Sequence, residues 1–244
     1  MSDQSALSPE QQDAIKAILG DDSSDTYVKV SLPSNGVAYD KEIEIRPFNF
    51  ADEKAALRRN VKKSEFLNVL LERCVRGIDI YNLLIPDKLF LTYKLKEIST
   101  GSTMSMNITC QECEADNPLD VDLSVLNVRY LPEKTPFPFK FNLKILGKEV
   151  VVIPARVREE QVVSSFESLA NNLWRFIDSI NGIKEKKVLT EVIPRLPVED
   201  VHSIMKYISM TDCGLDPAAS FTCPGCGEVQ EIEVPITANF FGTT

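Results

Sequence analysis

Four cysteines stand in two pairs whose spacing suits a metal ion. Cys223 and Cys226 lie in Phe221-Thr-Cys-Pro-Gly-Cys-Gly-Glu, and Cys110 and Cys113 lie in Thr109-Cys-Gln-Glu-Cys-Glu. Two residues between thiols let the backbone curl so that amide N–H groups face the sulfurs, and Gly225 and Gly227 ease that curl in the downstream pair. Each pair supplies two ligands and structural zinc takes four. The expectation is therefore one structural zinc ion shared by Cys110, Cys113, Cys223 and Cys226. Four thiolates leave no open position for water or substrate. A metal-free reading stays open, because Glu112 lies within the upstream pair and Glu114 beside it, and no glycine follows it. A redox Cys-x-x-Cys belongs at a helix N-terminus, whereas both pairs here lie between strand-like segments.

The remaining reactive side chains point to no reaction. His202, the one histidine, sits beside Glu199 and Asp200 on a predicted helix and reads as a surface or capping residue. A Cys213–His202 nucleophile pair would span a helix and a turn with no oxyanion motif nearby. Pro33-Ser-Asn-Gly36 lacks the Gly-Lys-Ser that a phosphate loop would continue into. Cys74 lies among apolar neighbours and reads as a small buried hydrophobe. The expectation is a protein that is not an enzyme.

Composition narrows the class. The 244 residues, 43% hydrophobic, suffice for one large or two small domains, and the formal net charge is -9. That balance argues against nucleic acid as a partner, since phosphate contacts need clustered Lys and Arg. Lys184, Lys186 and Lys187 are interrupted by Glu185 and read as a solvated helix end. Met1-Ser-Asp-Gln lacks the character of a secretory leader, and no window approaches the roughly 18 apolar residues of a membrane span. Six cysteines then read as thiols and metal ligands, and the protein is expected to work or be assembled in a cytoplasm.

The elements that must position the cysteines fall into three stretches. Residues 1–26 read as a flexible tail with one short helix, capped by Ser8 and Gln11 and edged by Ile15, Ile18 and Leu19. That helix is either a mobile tail or an amphipathic peptide that docks on a partner. Residues 27–130 form a first α+β half. Strands from Tyr27 and Glu42 are joined through the Pro33–Gly36 turn, and helices run to about Asn60, from Ser64 to Gly77 and from Pro86 to Ser99. A strand from Thr103 to Thr109 then enters the first knuckle, and an alternating stretch through Leu119, Val121 and Leu123 leaves it. Residues 131–244 form the second half. It has a strand with Phe137, Phe139, Phe141, Leu143 and Ile145 on one face, a turn at Gly147 and a return strand to Ile153. A long helix is expected from Arg158 to Ile180, with Trp174 as a packing residue and Asn181-Gly182 as its stop. Two shorter helices follow, then the second cysteine hairpin and a tail ending Asn239-Phe-Phe241. The fold class is α+β, with two zinc-ribbon-like hairpins tipped by Cys-x-x-Cys.

The halves also run in parallel. Gly77-Ile78, Ile85-Pro86, Lys96-Glu97-Ile98-Ser99 and Thr109-Cys110 match Gly182-Ile183, Leu196-Pro197, Lys206-Tyr207-Ile208-Ser209 and Thr222-Cys223. Read as pseudo-repeats, they bring the two hairpin tips together; read as chance, they do not.

Taken in order, several stretches resemble the T4-like phage baseplate protein family. They are Leu32-Pro-Ser-Asn-Gly, Ile45-Arg-Pro, Asp79-Ile-Tyr-Asn-Leu-Leu, Asp87-Lys-Leu-Phe-Leu, the first Cys-x-x-Cys, and Thr222-Cys-Pro-Gly-Cys-Gly with Val234-Pro-Ile-Thr-Ala-Asn-Phe-Phe. The resemblance implies a hub or inner-baseplate subunit of a contractile tail, assembled in the bacterial cytoplasm and retained in the virion. Its partners would be other hub, wedge or tube-initiating proteins, with several copies in a symmetric ring. The alternatives are an assembly chaperone absent from the finished particle and a cellular zinc-ribbon adaptor. Phe240 and Phe241 are costly to leave in water and pack on their own domain or on a neighbour. Removing residues 235–244 is expected to block incorporation while leaving the fold in place.

Overall fold

A computed structural model describes residues 8–19, 26–210, 212–236 and 240–241. A similar, though not identical, order of elements runs through each half. In the first half, β1 (Val28–Ser31) and β2 (Glu42–Ile45) pair antiparallel, and α2 (Phe50–Ala56) and α3 (Phe66–Cys74) follow. β3 (Val75–Arg76) then joins the free side of β2, giving the order β1-β2-β3. α4 (Ile85–Thr100) leads into the hairpin of β4 (Thr103–Thr109) and β5 (Asp116–Asp122). A connector containing β6 (Val128–Arg129) ends the first half. In the second, β7 (Phe139–Asn142) and β8 (Glu149–Val152) pair, α5 (Glu160–Val163) and α6 (Phe166–Asn172) follow, and β9 (Ile177–Ile180) completes a sheet ordered β7-β8-β9. Next come α7 (Lys186–Val192), α8 (Val198–Ser209), β10 (Gly214–Leu215) and the hairpin of β11 (Ala218–Thr222) and β12 (Val229–Glu233). Ahead of both halves stands α1 (Pro9–Leu19), where Ser8 and Gln11 form reciprocal capping bonds.

Local chemistry explains these elements. Ile43 and Ile45 of β2 turn inward while Glu42 and Glu44 turn outward, the two-residue alternation of a half-buried strand. Asn49 and Asp52 close a capping box at α2. α4 carries Pro86 in its first turn and stops at Gly101, whose φ is 94°.

The core is in two parts. Leu32, Ile45, Leu70, Leu71, Leu91 and Leu95 centre the first, and Leu143, Val150, Val152, Leu173, Ile204 and Ile208 the second. The boundary is crossed in both directions. Leu84 packs in the second core, whereas Val157, Leu215, Val234, Phe240 and Phe241 pack in the first. The buried Lys88 pairs with Glu160 at 2.5 Å across that boundary, and the Val157 amide donates to the Leu83 carbonyl at 2.9 Å. Gly214, at φ 111°, lies so close to α4 that an added Cβ would meet the Pro86 Cβ at 2.9 Å.

Equivalent positions in the halves are separated by a constant 113 residues, from the start of α4 and α8 (85 to 198) through Leu91 and Ile204, Leu95 and Ile208, and Gly101 and Gly214 to the knuckles. Leu91, Leu95, Ile204 and Ile208 are all buried. This register corrects the sequence pairing of Lys96 with Lys206 and Ile98 with Ile208, which slides the helices by three residues. Asp87 and Asp200 occupy the third position of their helices, 113 residues apart, and both are fully buried. Asp87 accepts the Ser34 amide at 2.9 Å and the Tyr39 hydroxyl, and Asp200 accepts the Ile145 and Leu146 amides at 2.8 and 3.1 Å. Each carboxylate thus ties down the loop of its own half's first hairpin.

Two expectations fail. The helix expected over residues 158–180 is broken at Ser164 and Ser165, where the Ser165 hydroxyl caps α6, and its last four residues form β9. Leu173, Phe176, Ile177 and Ile180 satisfy helical spacing, but short apolar runs fit a buried strand equally well. Asn181 and Gly182, both at positive φ (49° and 77°), make the tight turn after β9 instead of stopping a helix. The strand expected through Ile145 ends at Asn142, because Leu143 and Lys148 bond across the turn and leave Ile145 exposed.

Candidate metal centre

The two hairpins β4–β5 and β11–β12 meet at their tips. The sulfurs of Cys110, Cys113, Cys223 and Cys226 lie within 4.8 Å of one another. Cys110 and Cys226 are 3.7 Å apart, as are Cys113 and Cys223. A disulfide would need about 2.05 Å. Four sulfurs about 2.3 Å from a central zinc form a tetrahedron with edges of about 3.8 Å, so the donors present fit such an ion in both chemistry and spacing.

Each knuckle is built by the same two backbone bonds. The Cys110 amide donates to the Ala115 carbonyl at 2.9 Å and the Glu114 amide to the Cys110 carbonyl at 3.0 Å; Cys223 with Glu228 and Gly227 with Cys223 repeat this at 2.8 Å each. Gly227 takes φ 78° to close its turn, and Glu114, at the equivalent position, takes φ 57°. The missing glycine of the upstream knuckle is thus replaced by a glutamate held in the left-handed region, at some conformational cost.

The surroundings carry a local two-fold relation. Asn117 donates to the Cys223 sulfur at 3.8 Å and Gln230 to the Cys110 sulfur at 3.0 Å. These two residues are also 113 apart, and each reaches across to the opposite knuckle. Cys110 and Cys223 are buried, with Phe221 packed against them and Ile108, Leu119 and Ile232 at the edge, whereas Cys113 and Cys226 face solvent. Backbone amides tune the thiols. Those of Cys113 and Glu112 hold Cys110 down to about 6, and those of Cys226 and Gly225 lower Cys223. The Glu228 amide also draws on Cys226, but desolvation and the adjoining sulfurs push it up to about 12. Oriented N–H dipoles thus favour thiolates here, and a cation would relieve their mutual repulsion.

The other residues singled out in the sequence lie elsewhere. Cys74 is fully buried and Cys213 nearly so, and burial pushes each thiol up to about 12, the opposite of nucleophile activation. His202 is on the exposed side of α8. Lys184 pairs with Asp178 at 2.9 Å, and Lys186 lies 3.7 Å over the Trp174 ring, which packs at the edge of the second core. Ile15 and Ile18 are exposed on α1 at 40% and 81%, while the side chain of Leu19 lies outside the described residues. Of the two places considered for the terminal rings, the structure shows their own domain. Phe240 and Phe241 plug the first core, edge-on to Tyr93 and Phe48, with the Tyr93 hydroxyl bonded to the Val234 carbonyl at 2.5 Å. Among the described residues no helix is long and apolar enough to cross a membrane.

Sequence reasoning missed Asn117, Gln230, Asp87 and Asp200. Their common offset of 113 from a partner, the same as that between the cysteine pairs, was the available signal. No curated protein and no solved structure matches the chain significantly. The family model described as T4 bacteriophage base plate protein matches residues 25–242, nearly the whole chain, and the protein belongs to that family.

Proposed function

We propose that the chain is a structural subunit of the hub or inner baseplate of a contractile tail, built in the host cytoplasm and retained in the virion. It acts by docking other hub, wedge or tube-initiating proteins, in several copies around a ring, and turns over no substrate. The observation that supports this reading is the character of the one cluster of potential metal ligands among the described residues, four sulfurs with no place for a substrate. In this reading they hold one zinc ion that clasps the two halves. The halves, residues 27–130 and 131–244, are copies of one ancestral unit, as their shared element order and common offset suggest. Their zinc-ribbon-like hairpins share an ion that two separate units would each have had to complete.

Purified particles test the role. Mass spectrometry is expected to find the chain in finished virions, with its density near the baseplate axis. Presence in assembling tails and absence from finished particles would make it an assembly chaperone instead.

A further inference from the structure

We propose that α1 is an arm that docks in a groove on a second copy of this chain. None of its described side chains is buried, so Ile15 and Ile18 present an apolar edge that its own body leaves uncovered. An eleven-residue helix is marginal alone in water and is held by what its apolar edge meets.

A matching surface lies on the second half. The proline-rich connector and α8 enclose a groove of about 300 Å3, with Leu131, Phe139, Tyr207 and Met210 along its floor and Pro132 and Pro136 as a wall. That volume is at the lower limit for a small-molecule site and suits aliphatic side chains entering as knobs. Charge is complementary. Its charged lining is Lys140, Lys206 and Asp212, net positive, while the arm's Glu10, Asp13 and Lys16, followed by Asp21, Asp22 and Asp25, are net negative. Both lysines already have carboxylate neighbours, Glu149 at 2.8 Å and Asp212 at 2.9 Å. All four side chains are well exposed, and such pairs exchange partners at little cost. Arm and groove are different surfaces, so the contact is head-to-tail and repeats from copy to copy, the geometry that builds a ring when the rotation closes.

The full chain tests this by mass photometry and light scattering across a concentration series. Wild type is expected to self-associate. Removing residues 1–25, or combining K140E with K206E, should each leave monomers. Mixing those two variants should restore a one-to-one pair, since one supplies the groove and the other the arm. Adding E10K and D13K to the K140E/K206E chain should recover self-association, which mere loss of folding would not permit. A monomeric wild type, whether its arm folds back on its own groove or awaits a different protein, overturns the proposal. Association that survives loss of residues 1–25 also overturns it.

Discussion

Asp87 and Asp200 hold the same place in two helices 113 residues apart, each folding a buried carboxylate over the hairpin loop of its own half. Asp200→Ala leaves the Ile145 and Leu146 amides without an acceptor. The expected loss is about 2–4 kcal/mol in urea unfolding, since an unsatisfied buried group costs about 1–3. Asp87→Ala should cost a similar amount, and the double variant should show near-additivity because the carboxylates serve separate cores.

One zinc per chain is expected by elemental analysis, falling below one for Cys223→Ser. Zinc binding to structural thiolate sites is worth about 10–16 kcal/mol in peptides, comparable to the whole stability of a domain. Chelation should therefore lower Tm by about 10 °C or more. It should also open Cys113 and Cys226 to alkylation before Cys74 and Cys213, as mass spectrometry of labelled peptides would report.

Asp52 is expected to contribute to the acid limit of the first half. Burial alone would raise its pKa, but Arg46 at 2.7 Å, the Asn49 amide and Arg73 outweigh that and hold it at about 2. The folded value lies below the unfolded value of about 4, so the stabilisation is complete above pH 4 and fades as pH falls through 2. About 2 kcal/mol should disappear across that window in pH-dependent denaturation. Asp52→Asn should flatten the dependence while weakening the protein at neutral pH, because Arg46 is left buried without its counter-charge.

Deleting residues 235–244 is expected to destabilise the isolated protein. This reverses the expectation drawn from sequence, because the terminal rings fill the first core. Phe240→Ala alone should cost about 3–5 kcal/mol by chemical denaturation, the usual range for a buried phenylalanine.

Glu114→Gly should be neutral or stabilising by up to about 1 kcal/mol, since glycine adopts a φ of 57° without a Cβ penalty. Gly227→Val, placing a branched side chain at φ 78°, should weaken metal retention in a competition titration with a chromogenic chelator.

The cysteine cluster was legible in the sequence because a structural ion needs four ligands and each pair offers two. The capping of α1 by Ser8 and Gln11 and the proline start of α4 were legible as local chemistry. Residues 158–180 were not, because apolar residues at helical spacing also suit a strand buried on both faces, and only pairing of β9 with β8 decides between them. Glu114 gave no warning of its left-handed backbone, since the cause is the knuckle that forms around it. Asp87 and Asp200 looked like ordinary first-turn acids; their burial depends on loops about fifty residues upstream.

The meeting of the hairpin tips also bears on load. With an ion held by the four cysteines, tension along the chain would gain a short path from Cys110 to Cys226 through the sulfurs, beside the polypeptide between them. An ion held there would concentrate part of the protein's resistance to stretching in a single atom-sized rivet.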